Sequence, residues 1–297
     1  MDFYNKIKNR LVENENYSKI KDYSKEKYKV QTYYEVGRIL RDAGKCYGEN
    51  IIEKYALKLQ VDVGKKFNRR ILFRMRQFFL MFEDEKVSTL STYLSWSHYV
   101  ELLGIEDVGK IFYYVNLVRN QNLTVRELRE KIKNKEYERL DKSTKLKIIN
   151  YEELSIQETI KNPIIIKSQN IGDNLSEKDL KNIIMENIPL FLKELGNNFA
   201  FVDTEFKIKL GDKYNYIDLL LYNISYKCYV VIELKVTELK KEHIGQIETY
   251  MKFIDKEVKN FEENKTIGII ICRKNNRFIM EYCSDSRLLT REYIIKK

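Results

Sequence analysis

Three charged residues sit in a stretch that otherwise reads as core. Residues 216–235, YIDLLLYNISYKCYVVIELK, form two apolar runs, with Asp218 inside the first and Glu233 and Lys235 near the end of the second. Successive strand residues face opposite sides, so Glu233 and Lys235 point the same way. Asp218 lies 15 positions before Glu233 across a short connection, and strand pairing can bring it alongside. Two carboxylates and an ammonium would then converge at strand ends. A buried or edge ion pair is one account of such a group. Ion pairs seldom repay their desolvation, however, and two acids to one base are poorly balanced. Two carboxylates held together repel unless a cation lies between them. A hard divalent ion such as Mg2+ takes carboxylate and carbonyl oxygens, which this arrangement supplies. A neighbouring lysine can orient a water and stabilise charge building on a phosphate. Spacing alone leaves both accounts standing, because D…E-x-K is a weak pattern.

The elements that must position these residues begin at Ser176. Ser176-x-x-Asp179 is a capping-box-like helix start, with Asp where Glu or Gln is usual. Leu180, Ile183, Ile184, Ile188, Phe191, Leu192 and Leu195 follow at helical spacing, Gly196 ends the helix, and Pro189 predicts a kink. Residues 199–210 alternate, with Ala200, Val202, Phe206, Ile208 and Leu210 on one face. Strands are expected over 214–222 and 228–235, a helix over 241–260, and a strand over 266–272. The order is αβββαβ, a mixed α/β domain.

In that order, Asp218 followed by Glu233-x-Lys235 resembles the PD-(D/E)XK nuclease superfamily, and Gln246-x-x-x-Tyr250 resembles the helix motif of its RecB-like branch. The chain is more closely similar to the YhcG-like family, in which an N-terminal domain of uncertain role precedes such a nuclease domain. The stretches that carry the likeness are RRILFRMRQFF, LSWSHYVELL, FLKELGNNFAFV, YIDLLLYN, YVVIELK and HIGQIETY. Lys241 departs from the pattern, where proline is expected, and residues 1–25 and the last several do not match it. The resemblance implies that Asp218, Glu233 and the Leu234 carbonyl ligate Mg2+, with Mn2+ as an alternative, and that Lys235 positions the attacking water. It implies that Gln246 and Tyr250, four apart on one helix face, support the site or touch DNA; a polar helix surface with a half-buried tyrosine fits their spacing equally well. Glu186 is a further carboxylate on the preceding helix, although a solvated helix face explains it more simply.

The rest of the chain differs in character. Residues 1–150 hold 31 Lys+Arg against 21 Asp+Glu, while residues 151–297 hold 23 of each, so the whole net charge of +10 falls in one half. A basic half beside a neutral one suggests a polyanion-binding module joined to something else. Residues 1–140 read as helical, with Gly37, Gly44, Gly48 and Gly64 expected at helix ends. No acid occurs between Asp62 and Glu83, where Lys65, Lys66, Arg69, Arg70, Arg74 and Arg76 fall within twelve residues. Asn68 is a fitting N-cap for a helix starting at Arg69. Arg70 and Arg74 would share one face, with Leu72, Met75, Phe79 and Leu80 inward. Following Gly64, this helix could be the second of a helix-turn-helix that binds DNA; a solvated charged face is the alternative. Trp96 and His98 read as core and capping residues.

The expected organisation is therefore a helical DNA-binding domain over 1–140, a linker over 141–175 containing SQNIGDN, and a nuclease domain over 176–297. Four scattered cysteines and two distant histidines argue against disulfides, zinc and histidine-based nuclease chemistry. Reduced thiols, a charged N-terminus and the lack of a long apolar run lead us to expect a cytoplasmic protein without a membrane partner. The expected partner is nucleic acid, chiefly double-stranded or branched DNA, with room for a homodimer. A non-catalytic DNA-binding or assembly protein with a relict nuclease fold is the competing reading, and an RNA-directed nuclease a third.

Overall fold

The structure is a computed structural model that describes residues 2–19, 24–83, 94–168, 175–196, 198–281, 283 and 285–296. It divides into two compact units, Met1–Tyr137 and Glu138–Lys297. No helix among the described residues is long and apolar enough to cross a membrane, and all four cysteines are free thiols.

The first unit is helical. Helices α1 (Phe3–Ser18), α2 (Lys25–Tyr47), α3 (Asn50–Asp62) and α4 (Arg69–Met81) are followed by helices over Trp96–Leu102, Val108–Gln121 and Val125–Lys133. Asn68 caps α4, its side chain accepting from the Ile71 N–H at 3.2 Å, which stabilises the helix by about 1 kcal/mol. Leu72, Met75, Phe78 and Phe79 bury one face of α4. Leu80, expected inward, is exposed; Phe78 takes the inward place and packs edge-on or tilted against Tyr34, Phe82, Trp96 and Tyr99. Gly37 and Gly44 lie inside α2 rather than at its end. At Gly37 the reason is close approach: a Cβ would lie 2.1 Å from the Met75 carbonyl oxygen, so only glycine lets α2 and α4 cross there. Gly48, at φ 76°, does end α2. Trp96 is buried, and His98 is held between Ser95 Oγ (2.8 Å) and the Leu123 carbonyl (3.0 Å).

The second unit is built on a six-stranded mixed sheet in the order β1-β6-β5-β4-β3-β2. The strands are β1 (Ile164–Lys167), β2 (Phe199–Leu210), β3 (Lys213–Asn223), β4 (Cys228–Glu238), β5 (Ile267–Lys274) and β6 (Leu288–Lys296). Strands β2, β3 and β4 are antiparallel neighbours, while β4, β5, β6 and β1 run parallel. One core layer includes Leu180, Ile184, Phe191 and Leu195 against Leu219, Leu221, Ile232 and Leu234. The other sets Ile247, Tyr250, Met251 and Ile254 against Ile217, Leu220, Val231 and Ile270.

Several sequence expectations change here. The region read as a linker contains helices Lys142–Ile149 and Ile156–Thr159 and the edge strand β1, which pairs with β6; residues 169–174 of its polar stretch lie outside the described residues. Strand β6 was not anticipated. The helix expected to kink at Pro189 is two helices, Glu177–Glu186 and Ile188–Leu195, because proline sits in the first turn of the second. The helix expected over 241–260 ends at Phe253 and passes into a π turn, Ile254–Val258. In β2 the alternation slips: a bulge between Phe201 and Asp203 leaves Val202 exposed.

Candidate active site

The site lies where β3 leaves β4. Their ladder stops at Leu219↔Ile232. Beyond that point the Leu234 N–H donates to Asp218 Oδ2 at 2.9 Å, so a side chain takes over from a backbone partner. Strand β3 also loses its alternation here. Ile217 packs in the same layer as Leu220, while Leu219 and Leu221 pack in the other. Across from it, Glu205 of β2 has φ 52°, and the Thr204 hydroxyl donates to the Asp218 carbonyl at 3.1 Å. The fork is why charged residues can occupy strands that otherwise build core.

Glu233 and Lys235 do point the same way. Lys235 Nζ donates to Glu233 Oε1 at 2.8 Å, and both residues are buried. Glu233 Oε2 is buried with no hydrogen-bond partner. Burial, then the negative charge of Asp218, pushes the Glu233 carboxyl up to about 7, against the pull of Lys235. Burial also raises the Asp218 carboxyl, opposed by the Leu234 N–H and Lys235. For Lys235, burial works against the charge but the Glu233 carboxylate outweighs it, and the ammonium is held above its usual range. Two carboxylates are thus each driven toward the neutral form by the other or by burial, which is the electrostatic signature of a place short of positive charge.

The structure adds a residue that the sequence did not single out. Glu177 Oε2 lies 3.3 Å from Lys235 Nζ. Glu186, the acid considered on that helix, is exposed at its opposite end. The signal for Glu177 lay in the capping box: Ser176 and Asp179 bond each other's backbone, and Glu177 is the first residue of the helix they start. Gln246 Nε2 donates to the Tyr250 hydroxyl at 2.9 Å. Tyr250 is buried, and its hydroxyl is raised first by burial and further by the charges of Glu233 and Asp218, which places it in the field of the site.

Among the described residues no group of three or more His, Cys, Asp or Glu side chains is arranged to hold a metal. The donor set at the fork is of another kind: the two carboxylates of Asp218 and Glu233, with one buried carboxylate oxygen unpartnered. That set fits a hard divalent ion.

The basic residues of the first unit do not act as one cluster. Arg76 makes a two-pronged ion pair with Glu49 at 2.5 and 2.6 Å. Lys66 pairs with Glu15 at 2.5 Å, and Arg69 lies 4.0 Å from Glu53. Lys65, Arg70 and Arg74 have no ion pair among the described residues, although Arg74 contributes to holding the Glu101 carboxyl low after the larger effect of Arg129. Helices α3 and α4 are joined by residues 63–68, a longer connection than the usual helix-turn-helix turn of about 3–4 residues.

A mixed sheet flanked by helices, with Asp218, Glu233 and Lys235 meeting where two strands diverge, defines a PD-(D/E)XK-type nuclease fold. Residues 157–293 match the YhcG PDDEXK nuclease domain, and residues 6–139 match the DUF1016 N-terminal domain. Between them these two matches run over most of residues 6–293, and the chain resembles the YhcG family in both. It is 25% identical to a presumed nuclease, YhcG, of Escherichia coli (strain K12), over 283 residues covering 81% of this chain and 76% of that one. Two solved structures also share similarity: a repair endonuclease from Pyrococcus abyssi (17% identity, 43% of this chain and 50% of that one, TM-score 0.29) and an EndoMS complex with double-stranded DNA (17% identity, 44% and 49%, TM-score 0.29). The match spans about half the length of each, and a likeness of that size carries no argument about activity.

Proposed function

We propose that this protein is a divalent-metal-dependent nuclease that hydrolyses phosphodiester bonds in DNA. The observation that carries the reading is the buried, unpartnered Glu233 Oε2 beside Asp218 and Lys235 at the β3/β4 fork. Asp218, Glu233 and the Leu234 carbonyl would hold Mg2+, or Mn2+ in its place. When bound, such an ion supplies Lewis-acid chemistry, drawing charge from a phosphate oxygen. Lys235, fixed by Glu233 and Glu177, orients the attacking water and offsets negative charge as it builds on the phosphate. The water oxygen bonds to phosphorus as its proton passes to solvent, the ester P–O bond breaks, and the leaving oxygen takes up a proton from solvent. Gln246 and Tyr250 brace the helix against the site or touch the substrate. The direct test is DNA cutting by the purified chain with and without a divalent ion.

Substrate capture falls to α4 and the connection that leads into it. Lys65, Arg70 and Arg74 face phosphate, because Lys66, Arg69 and Arg76 already have acidic neighbours. Lysine and arginine at phosphate release counterions, so affinity falls with salt at a slope of roughly −0.9 per neutralised phosphate. Changing Arg70 and Arg74 together to Ala should weaken DNA binding and flatten that slope by about one unit per lost contact. Fluorescence anisotropy across a salt series measures it. An unchanged affinity and slope would make α4 a solvated face and shift the first unit toward an assembly role.

A further inference from the structure

The β2–β3 hairpin runs on past the fork as an arm. Strand β3 pairs with β4 only over Leu219–Asn223, whereas β2 and β3 stay paired out to Leu210↔Lys213. One face of this arm is spoken for: Phe206, Ile208, Leu210 and Ile217 pack into the layer under the helix Lys241–Phe253. The other face carries Lys207 opposite Tyr216 and Lys209 opposite Tyr214. All four are exposed, the tyrosines by 55% at Tyr214 and 52% at Tyr216, and Lys207 Nζ sits 3.9 Å above the Tyr214 ring. Three acids lie two positions from these pairs along the hairpin: Asp212 at the tip, Asp218 at the fork, and Glu205, which is paired with Lys181.

Burial of the opposite face is enough to hold a hairpin, so stability does not explain two exposed rings, Tyr214 with Lys207 over one face and Tyr216, beside a second lysine. Their chemistry suits a polyanion that also offers flat apolar surfaces. Lysines neutralise phosphates, and exposed aromatic rings stack unpaired bases without regard to sequence. A duplex hides its base faces, so an aromatic strand face favours a single strand. Tyr216 is two residues from Asp218, about 7 Å along the strand, so a chain lying on this face leads toward the fork.

We propose that this arm binds a single-stranded segment of nucleic acid, with bases stacked on Tyr214 and Tyr216 and phosphates on Lys207 and Lys209. The inference rests on the nuclease reading for its purpose, as a guide for substrate entering the site, but not for its test. Binding of the full chain to a labelled oligothymidylate and to a duplex of equal length is measured by anisotropy in EDTA, where cutting plays no part. The paired change Tyr214→Ala and Tyr216→Ala should weaken single-strand binding by at least about 5-fold per ring lost. Tyr214→Phe with Tyr216→Phe, which keeps the rings, should bind as the parent does, and duplex affinity should hold in both. Lys207→Gln with Lys209→Gln should flatten the single-strand salt slope by about 0.7 per lost contact. Circular dichroism checks that each variant is folded. The proposal is overturned if the parent does not bind the oligothymidylate, if the Ala pair binds it unchanged, or if duplex affinity falls equally. It is also overturned if the Ala pair changes the oligomeric state instead, which would make the face a contact between copies. DNA cutting measured in parallel keeps the two ideas apart. Cutting without the Ala effect sinks only the arm, and the Ala effect without any cutting sinks only the nuclease.

Discussion

Replacing Asp218 with Asn, or Glu233 with Gln, should lower DNA cutting by on the order of 10³-fold or more while the protein remains folded. The expectation follows from what each change leaves intact. Asparagine keeps an oxygen that can accept from the Leu234 N–H, so the fork retains its shape. Glutamine keeps an oxygen that can accept from Lys235 Nζ but removes that ammonium's buried counter-charge, leaving Glu177 as its acidic partner, so the metal-free variant should unfold below the parent's temperature yet remain folded under assay conditions. Both variants should also lose the rise in unfolding temperature that a bound divalent ion gives the parent, since binding to the native state alone stabilises by mass action. Gel assays of cutting and thermal melts with and without Mg2+ read these outcomes. Cutting at the parent's rate by either variant would remove this site from the chemistry.

Lys235→Met should separate metal from turnover. Lysine is not a ligand in this scheme, so calorimetric Mg2+ titration should still show a site, while cutting falls by about 10²–10⁴-fold, the range for a positioned proton-handling or charge-stabilising group. Without Nζ, Glu233 loses its buried counter-charge and Glu177 its ion pair, which makes a cation at the fork more favourable, not less. Turnover like the parent's, or loss of the metal site in a folded variant, would refute the role given to Lys235.

How far these features were legible depended on the kind of signal each residue left. Asp218, Glu233 and Lys235 stood out because a charge in an apolar strand is costly, and period two placed Glu233 and Lys235 on one side. Strand pairing at a short connection then brought Asp218 close. Glu177 was invisible to the same argument. An acid in the first turn of a helix is ordinary, and only the tertiary approach of that helix to β4 sets it beside Lys235. Strand β1 was missed because Ile164–Lys167 is too short to show a period, and β6 because the stretches that carried the resemblance end at HIGQIETY, well before it. Gly37 was misread as a helix end, since nothing local reveals that Met75 crosses over it. The pairing of Lys66 with an acid of α1, Arg69 with one of α3 and Arg76 with one just before α3 was equally non-local, and it narrows six basic residues to three without an ion pair among the described residues.

On the nuclease reading, Asp218 and Glu233 hold a divalent ion which the protein needs to cut DNA. The most direct measurement incubates the purified full chain with linear, nicked, branched and single-stranded DNA, in Mg2+, in EDTA, and in EDTA followed by excess Mg2+. The account predicts cutting of at least one substrate in Mg2+, none in EDTA, recovery when Mg2+ is returned, and none under any condition with Asp218→Asn. Cutting that persists in EDTA, or that Asp218→Asn performs as well as the parent, would contradict it.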